Sequence, residues 1–571
     1  MGTATLQRLG QLECRSPEVW WAVPTLRLYG STQAPLPPFT PSPLHPSTHP
    51  PIHPLTPSPP HPLTPMSPPG QKSEAMTLLF WAGMAALLFS NLDSLRSAPQ
   101  PTAIGALLIG VASMYPVYLW CAGQVQGLPV FPFFSLTYLW TFCLPLLSAN
   151  PNVLSYSPEA HLRGALSTVL FLASGTVIWL QIVRTPKTVE KPFRALKTAT
   201  ADNVFISMVA AGAFLNMYVV GGWSGIPDKL FTIVRGIILG LSFLGIFVLA
   251  YRAGQNSMPR PKQYIFFWAL VANIVTAAAG LILKTSLTLF LLSIMAFVIG
   301  GRRLPIVGLL MGIFLLLPLH HGKHEMRHKY WEGETPHYVQ PWQYPAWFKE
   351  WQGYAEKNKN HVPERWEKVE EKESFVERSS VIHMLMMAQA KIPEPYPYLE
   401  GKTYAIIPGL IVPRILNPNK LRSHEGTHML NVHVRRQTYE QTWKTTIAWG
   451  LLPEAYANFG YFGCILIGGI MGAFYGTITL AAIGTPPFSA RMMFCVLIMS
   501  LALASTEWTA GVYAATLFQS SVPIVGIKYA FMKIYRPKTV SGRYEKSPFD
   551  GQSYPYLVQP KHTLSPERST N

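Results

Sequence analysis

Trp449-Gly450-Leu451-Leu452-Pro453-Glu454-Ala455-Tyr456-Ala457-Asn458-Phe459-Gly460 is where this chain changes character. Before it lies a polar stretch, 320–448, dense in charge, histidine and aromatics; after it the sequence is apolar again. A helix needs about 20 apolar residues to cross the hydrocarbon core. Nine apolar segments precede the polar stretch, at roughly 76–92, 103–122, 128–148, 164–183, 203–221, 230–250, 263–283, 285–300 and 304–319. Three follow it, at 456–480, 488–506 and 510–532. The first, eighth and ninth are short, and Gly301-Arg302-Arg303 between the eighth and ninth reads as a tight turn. The expected fold is an all-α polytopic membrane protein of about 12 transmembrane helices, with one large extracytoplasmic loop between the ninth and tenth.

Composition agrees. Charged residues are 13% of the chain, against about 25% in soluble proteins, while hydrophobic residues reach 49% and mean hydropathy is +0.20. The net charge of +18 does not point to nucleic acid, because much of it sits in short loops between spans, where the positive-inside rule places it. Those loops carry Arg184, Lys187, Lys191, Arg194 and Lys197, then Arg252, Arg260 and Lys262, then Arg302 and Arg303. The tail adds Lys533, Arg536, Lys538, Arg543 and Lys546. By span parity all four groups share one face, so both termini are expected in the cytoplasm and 320–448 outside, in the periplasm of a diderm bacterium. Cys121, Cys143, Cys464 and Cys495 lie in apolar segments and Cys14 near the N-terminus, leaving the loop without a disulfide framework.

The domain reading has five parts. Residues 1–75 form a Pro-rich extension expected to be disordered. It is either a docking arm or the product of a misassigned start, since Met76 opens directly into the first span. Spans one to nine occupy 76–319, the loop 320–448, the last three spans 449–532, and a basic tail 533–571. Within the loop, 364–391 reads as a helix. Glu and Lys at i, i+4 spacing support its first half, and its second half is apolar enough to pack on the membrane domain or lie in the interface. Ile392-Pro393-Glu394-Pro395 ends it.

Two segments match His-Glu-x-x-His, a zinc-hydrolase pattern when on a helix: His324-Glu325-Met326-Arg327-His328 and His424-Glu425-Gly426-Thr427-His428. The second has Gly at its centre and follows Asn417-Pro418-Asn419, so it reads as loop. The first lacks an evident third ligand. A membrane zinc metalloprotease is therefore the lesser alternative, and no metal site is expected. A transporter would show paired broken helices or inverted repeats, and neither is visible. Arg235 sits early in the sixth span, where an arginine is a functional candidate by default or snorkels to the interface.

Arg378, Gly401-Lys402-Thr403-Tyr404, Pro413-Arg414…Pro418-Asn419-Lys420 and Glu454…Asn458-Phe459-Gly460 occur in that order. This series, in a twelve-span chain with a long late outer loop, resembles the Wzy-type O-antigen and exopolysaccharide repeat-unit polymerases of the O-antigen polymerase/ligase superfamily. Val412 stands where the family has Ile before Pro-Arg. The resemblance implies a GT-C-like glycosyltransferase of the bacterial inner membrane, metal-independent and without cofactor. It would polymerise undecaprenyl-diphosphate-linked oligosaccharide repeat units into O-antigen or exopolysaccharide on the outer face. An O-antigen ligase-type transferase, using the same donor with another acceptor, is the alternative. The implied partners are the lipid-linked donor and acceptor, the bilayer, a chain-length regulator and a flippase, with no nucleic acid.

The residue types suit that chemistry. Glu454 is the candidate catalytic base on the acceptor hydroxyl. Arg378 is the second catalytic candidate, a bidentate clamp for the leaving diphosphate. Arg414, Lys420, Arg235, Tyr404 and Asn458 are the candidates for binding diphosphate and sugar. Each also has a purely structural reading: Arg378 paired with Glu373 or Glu377, Arg414 and Lys420 solvated, Glu454 capping a span end, and Asn458 with Phe459 capping and packing a helix start.

Overall fold

The computed structural model describes residues 69–148, 150–184, 192–223, 225, 228–301, 304–330, 338–359, 380–412, 417, 420–444 and 446–535. The N-terminal extension up to residue 68, the Arg302-Arg303 pair, Arg378, Arg414, residues 364–379 of the helix expected over 364–391 and the tail beyond 535 lie outside these.

Among the described residues nine helices are long and apolar enough to cross a membrane. Six precede the loop: Gln100–Cys121, Val130–Leu147, Pro158–Val183, Thr198–Val220, Val234–Gly254 and Arg260–Ala279. Three follow it: Leu451–Ala482, Ala490–Glu507 and Ala510–Ala530. The segments read as short from sequence are the ones that fall below a span's length, Met76–Ser90, Leu283–Ile299 and Ile306–His320. The protein is thus an all-α polytopic membrane protein.

Local sequence sets the helix ends. Ser157 caps the third of these nine helices by accepting from Ala160 N–H, and Ser489 caps the eighth by accepting from Met492 N–H; both hydroxyls satisfy N–H groups that the first turn leaves over. Pro158 and Pro101 occupy first-turn positions that need no donor. Val130–Leu147 is continuous only through a π-type turn at Leu139–Cys143.

The centre of the bundle is the pairing of Leu451–Ala482 with Pro158–Val183. Gly468 lies against the Phe171 carbonyl and Gly472 against the Gly175 carbonyl, so backbone meets backbone. Gly468 and Gly472 form a G-x-x-x-G pair, the spacing that lets spans approach this closely in lipid. Aromatic rings fill the space beside them: Phe131 on Trp179 at 5.3 Å, Phe134 on Tyr475 at 5.1 Å and Tyr138 on Phe142 at 4.8 Å between centroids.

The basic loops gather at one end. Phe193–Ala195 pairs antiparallel with Lys533–Tyr535, and Ala195 bridges Ser489. Arg252 bonds the buried Asp202 and lies over the Phe488 ring, and Lys262 stands 3.7 Å from the same carboxylate. Gly300 lies against Gly254. The first apolar helix starts at this end too, since Thr77 Oγ1 donates to the Cys121 carbonyl and Gly127 lies against Thr479 and Ile483.

The loop segments lie at the other end. Val339 N–H bonds the Val220 carbonyl, Trp351 bonds the Leu319 carbonyl and Val381 N–H bonds the Thr141 carbonyl. Each acceptor lies in the later part of a helix whose start faces the basic end. Ala490–Glu507 has 18 residues, about 27 Å at 1.5 Å per residue, which separates Ser489 from the Glu454 region across the bundle. Reporter fusions at residue 340 and at the C-terminus should therefore give opposite compartment signals. The same signal at both positions would overturn this arrangement.

The helix expected to run unbroken over 364–391 is interrupted: Ser380 and Val381 are not helical, and Ile382–Lys391 is a separate helix that packs against Pro158–Val183 and Leu451–Ala482, with Ile382, Met384, Leu385, Met386, Met387 and Ala388 buried. Its apolar face goes to the membrane domain.

Candidate functional site

Glu454 lies in the first turn of Leu451–Ala482 and is fully buried. Its Oε2 accepts a 2.6 Å hydrogen bond from the Ala510 N–H, the first residue of the last span. Thr509, the residue before that helix, makes no side-chain cap. The carboxylate does that work from another span, where the helix dipole favours negative charge. Its other oxygen, Oε1, has no hydrogen-bond partner among the described residues. The Thr403 hydroxyl stands beside the carboxylate and offsets part of the cost of burying it.

Asn458, one turn further along, ties the loop to the span. Its Nδ2 donates to Thr403 Oγ1 at 2.9 Å and to the Glu454 carbonyl at 2.8 Å, and its Oδ1 accepts from Gly401 N–H at 3.0 Å. The Leu399 and Glu400 N–H groups bond the Ala457 and Asn458 carbonyls. Gly401 adopts φ +87°, the left-handed turn that starts the short Lys402–Ala405 helix. Tyr404 on that helix stacks on Phe459, 6.1 Å between centroids and 4° between planes. Its hydroxyl is buried without a hydrogen-bond partner among the described residues, and burial, then the neighbouring Glu454, hold the phenol well above its ordinary value.

The span breaks just past this point. Gly460 has φ +61° and ψ −146°, so the 451–459 segment is a short helix kinked away from the rest of the span. The Tyr398 hydroxyl fills the space a side chain at 460 would need. This break in direction turns the Glu454–Asn458 face towards the loop.

The third wall corrects an expectation. His424-Glu425-Gly426-Thr427-His428 does not form a loop: Glu425–His433 is a helix with His424 at its cap. Low glycine propensity is overruled by packing. A Cβ built on Gly426 would stand 3.8 Å from Glu454 Oε1 and 3.8 Å from Thr403 Cβ, so this helix lies in ordinary packing contact with the carboxylate. Thr427 Oγ1 bonds Thr509 Oγ1 at 3.1 Å, tying the same helix to the last span. The putting-together of a zinc site does not follow. Glu425 is 3.2 Å from the Arg422 guanidinium, His428 Nε2 meets Thr446 Oγ1 at 3.2 Å, and among the described residues no group of three metal-ligating side chains converges. The first His-Glu-x-x-His also lies on a helix, Lys323–Tyr330, at the edge of the loop segment around Trp347 and Trp351.

Of the residues singled out from sequence, the structure brings Glu454, Asn458 and Tyr404 together. Lys420 is half-buried ahead of Arg422, and Arg235 is half-buried near the loop-side end of its span, whose helix packs on the last two spans. Sequence reasoning missed Gly426 and the Ala510 N–H. Gly426 was visible only as a defect in a metal motif. The N–H carries no side-chain signal at all.

Two histidines of this region titrate out of the ordinary range. Burial, then Arg422 and His424, push His428 down from 6.5 to about 4; burial, then Arg436, push His383 down to about 4. Both are neutral in the folded protein at pH 7. The unfolded chain binds their protons first, so their contribution is complete above about pH 6.5 and is lost as pH falls towards 4. Thermal unfolding should shift to lower temperature over that window. A His383→Gln, His428→Gln variant should show a flatter profile, and an unchanged profile would refute the assignment.

No family model, curated protein or solved structure matches this chain, so its function is argued from these residues.

Proposed function

We propose that this protein is an inner-membrane glycosyltransferase. In this reading it polymerises undecaprenyl-diphosphate-linked oligosaccharide repeat units into O-antigen or exopolysaccharide on the outer face. The observation that carries the reading is the state of Glu454. It is a fully buried carboxylate at the junction of loop and membrane, with one oxygen held by a helix N-terminus and the other, among the described residues, met only by the neighbouring Thr403 hydroxyl. A carboxylate fixed this way has one oxygen positioned and one left to accept a proton from a hydroxyl. Tyr404 and Thr403, both beside Glu454, supply hydroxyls where a sugar would be oriented. The site lies at the end of the bundle opposite the basic loops, which the positive-inside rule makes the outer face.

Tyr404 stacked on Phe459 forms an aromatic wall. Aromatic groups with a polar tip serve a ligand that is part apolar ring face and part hydroxyl. The direct test is purified protein in lipid nanodiscs with a lipid-diphosphate-linked repeat unit. Lengthened chains on the lipid are expected. Transfer of a single chain to a lipid A core acceptor, with no lengthening, would favour the ligase alternative. Absence of any glycosyl transfer, with the substrate intact and the protein folded, would overturn the reading.

A further inference from the structure

Arg436 is a half-buried cation on the loop side of the bundle, three residues past the Glu425–His433 helix. Its Nη1 donates to the Met384 sulfur and stands 4.0 Å from the Met387 sulfur. Thioether sulfur is a weak acceptor. The contact takes water from the guanidinium and returns no charge-assisted bond. Burial holds the group below its ordinary value.

Two more cations belong to the same stretch of the loop side. Lys391 Nζ donates to the Val434 carbonyl at 2.8 Å, and Arg435 lies over the Tyr396 ring at 5.7 Å. The ion pairs between described residues fall on other cations: Arg252, Lys262, Lys284, Lys329 and Arg422. Arg436, Arg435 and Lys391 have no carboxylate partner among the described residues. The comparison within the chain is direct. Arg252, also buried, has Asp202, and Arg422 has Glu425. Arg436 alone of these three is set against sulfur.

The surroundings are built from several elements. Met384 and Met387 belong to Ile382–Lys391, which packs on two spans. Tyr156 approaches from just ahead of Pro158–Val183 and His383 from the other side, and both feel the Arg436 charge. The Arg436 N–H bonds the Asn431 carbonyl at 2.8 Å, and Asn431 Oδ1 accepts from Trp449 at 2.8 Å. The cation is thus placed by packed structure. The Glu425–His433 helix runs from Gly426 at Glu454 to the edge of this cluster, about 12 Å at 1.5 Å per residue.

We propose that Arg436, flanked by Arg435 and Lys391, binds the phosphate groups of an anionic ligand, a phosphate ester or diphosphate, at the boundary between loop and membrane domain. The inference rests on the function proposed above and deepens it. None of the three residues lies in the motifs that carry the resemblance. A guanidinium offers phosphate a planar fork and an ammonium adds a point charge. The ligand oxygens would take the place that the weak thioether contacts hold.

The test measures binding and does not need turnover. Full-length protein in nanodiscs is titrated with inorganic diphosphate, and separately with undecaprenyl diphosphate in the bilayer, by calorimetry. Arg436→Met keeps the length and apolar packing of the side chain and removes the fork. At least a tenfold loss of affinity is expected for the ligand that binds, with partial recovery in Arg436→Lys. Tight binding of both probes means that the phosphate groups suffice; binding of the lipid alone assigns the site to a lipid headgroup. Either result supports the site if Arg436→Met weakens it. Equal affinity in wild type and Arg436→Met, or no binding of either probe by wild type, overturns it. A variant that unfolds is replaced by Lys391→Met with Arg435→Met, where a combined loss of about tenfold is expected and unchanged affinity counts against the site. If binding depends on Arg436 but no sugar is transferred, the function falls and the site stands. If sugar is transferred and Arg436→Met changes neither binding nor transfer, the site falls and the function stands.

Discussion

Glu454→Gln should leave the protein folded and stop chain extension. Glutamine is close to glutamate in shape. Its carbonyl can still accept the Ala510 N–H, which Glu454 Oε2 now accepts at 2.6 Å. The cap on the last span therefore survives. What changes is the unpartnered oxygen: an amide NH2 in that place cannot take a proton. Positioned general bases contribute about 10²–10⁴-fold, and a loss of that size is expected in the rate of chain lengthening. Glu454→Ala separates the two roles of the residue. It removes the cap as well, which costs about 1 kcal/mol at a typical helix N-terminus, so it should lower thermal stability where Glu454→Gln does not. The measurements are chain length by gel electrophoresis of the reconstituted product and thermal unfolding of the same sample. Wild-type lengthening by a folded Glu454→Gln protein would reduce Glu454 to a structural cap and remove the main support for the proposed chemistry.

Gly472→Leu should prevent the bundle from assembling. Gly472 meets the Gly175 backbone carbonyl across the helix pair, and Gly468 meets that of Phe171. Overpacking in a core usually costs about 1–3 kcal/mol because neighbouring side chains shift. Here the neighbour is backbone, which cannot change rotamer. A side chain at 472 has to push Pro158–Val183 away and with it the Phe131, Trp179 and Tyr475 rings packed alongside. In lipid the helix pair has no hydrophobic driving force to offset this, since tails are as apolar as leucine. The cost should exceed the usual range, seen as aggregated or poorly extracted protein on size exclusion. Gly469→Ala is the control. Its neighbour is the Ile178 side chain at 3.7 Å, an ordinary contact. A monodisperse Gly472→Leu protein with an unchanged unfolding midpoint would show that the close approach is dispensable.

The all-α membrane fold was legible because it depends on a property that sequence states directly. Apolar runs near 20 residues cannot leave backbone groups unpaired in hydrocarbon, so they become helices wherever they occur. The short segments were short for the same reason. The placement of the basic loops on one side was legible too, since lysine and arginine in short loops follow a rule that needs no contacts. The structure adds the contacts, through Phe193–Ala195 on Lys533–Tyr535 and the Asp202 cluster. The Gly468–Gly472 spacing was also present in the sequence, but without the facing Gly175 nothing distinguished it from other glycines.

The site was legible only in part. Glu454, Asn458 and Tyr404 stood out by type and order, and they meet. Their partners could not be read. The Glu454 oxygens are decided by a backbone N–H 56 residues away and by an absence beside Gly426. Local propensity made Gly426 a helix breaker, whereas packing of the Glu425–His433 helix on the carboxylate and the last span overrode it. Arg436 gave no signal either, because a cation in a polar loop looks solvated until its neighbours turn out to be methionine sulfurs. Sequence by itself determined which apolar segments are helices, which face carries the basic loops and which residues could do acid–base work, since each follows from local composition. Tertiary structure alone decided which charges are paired, which buried oxygen is left without a donor and where a span breaks. Those depend on distances between residues far apart in the chain.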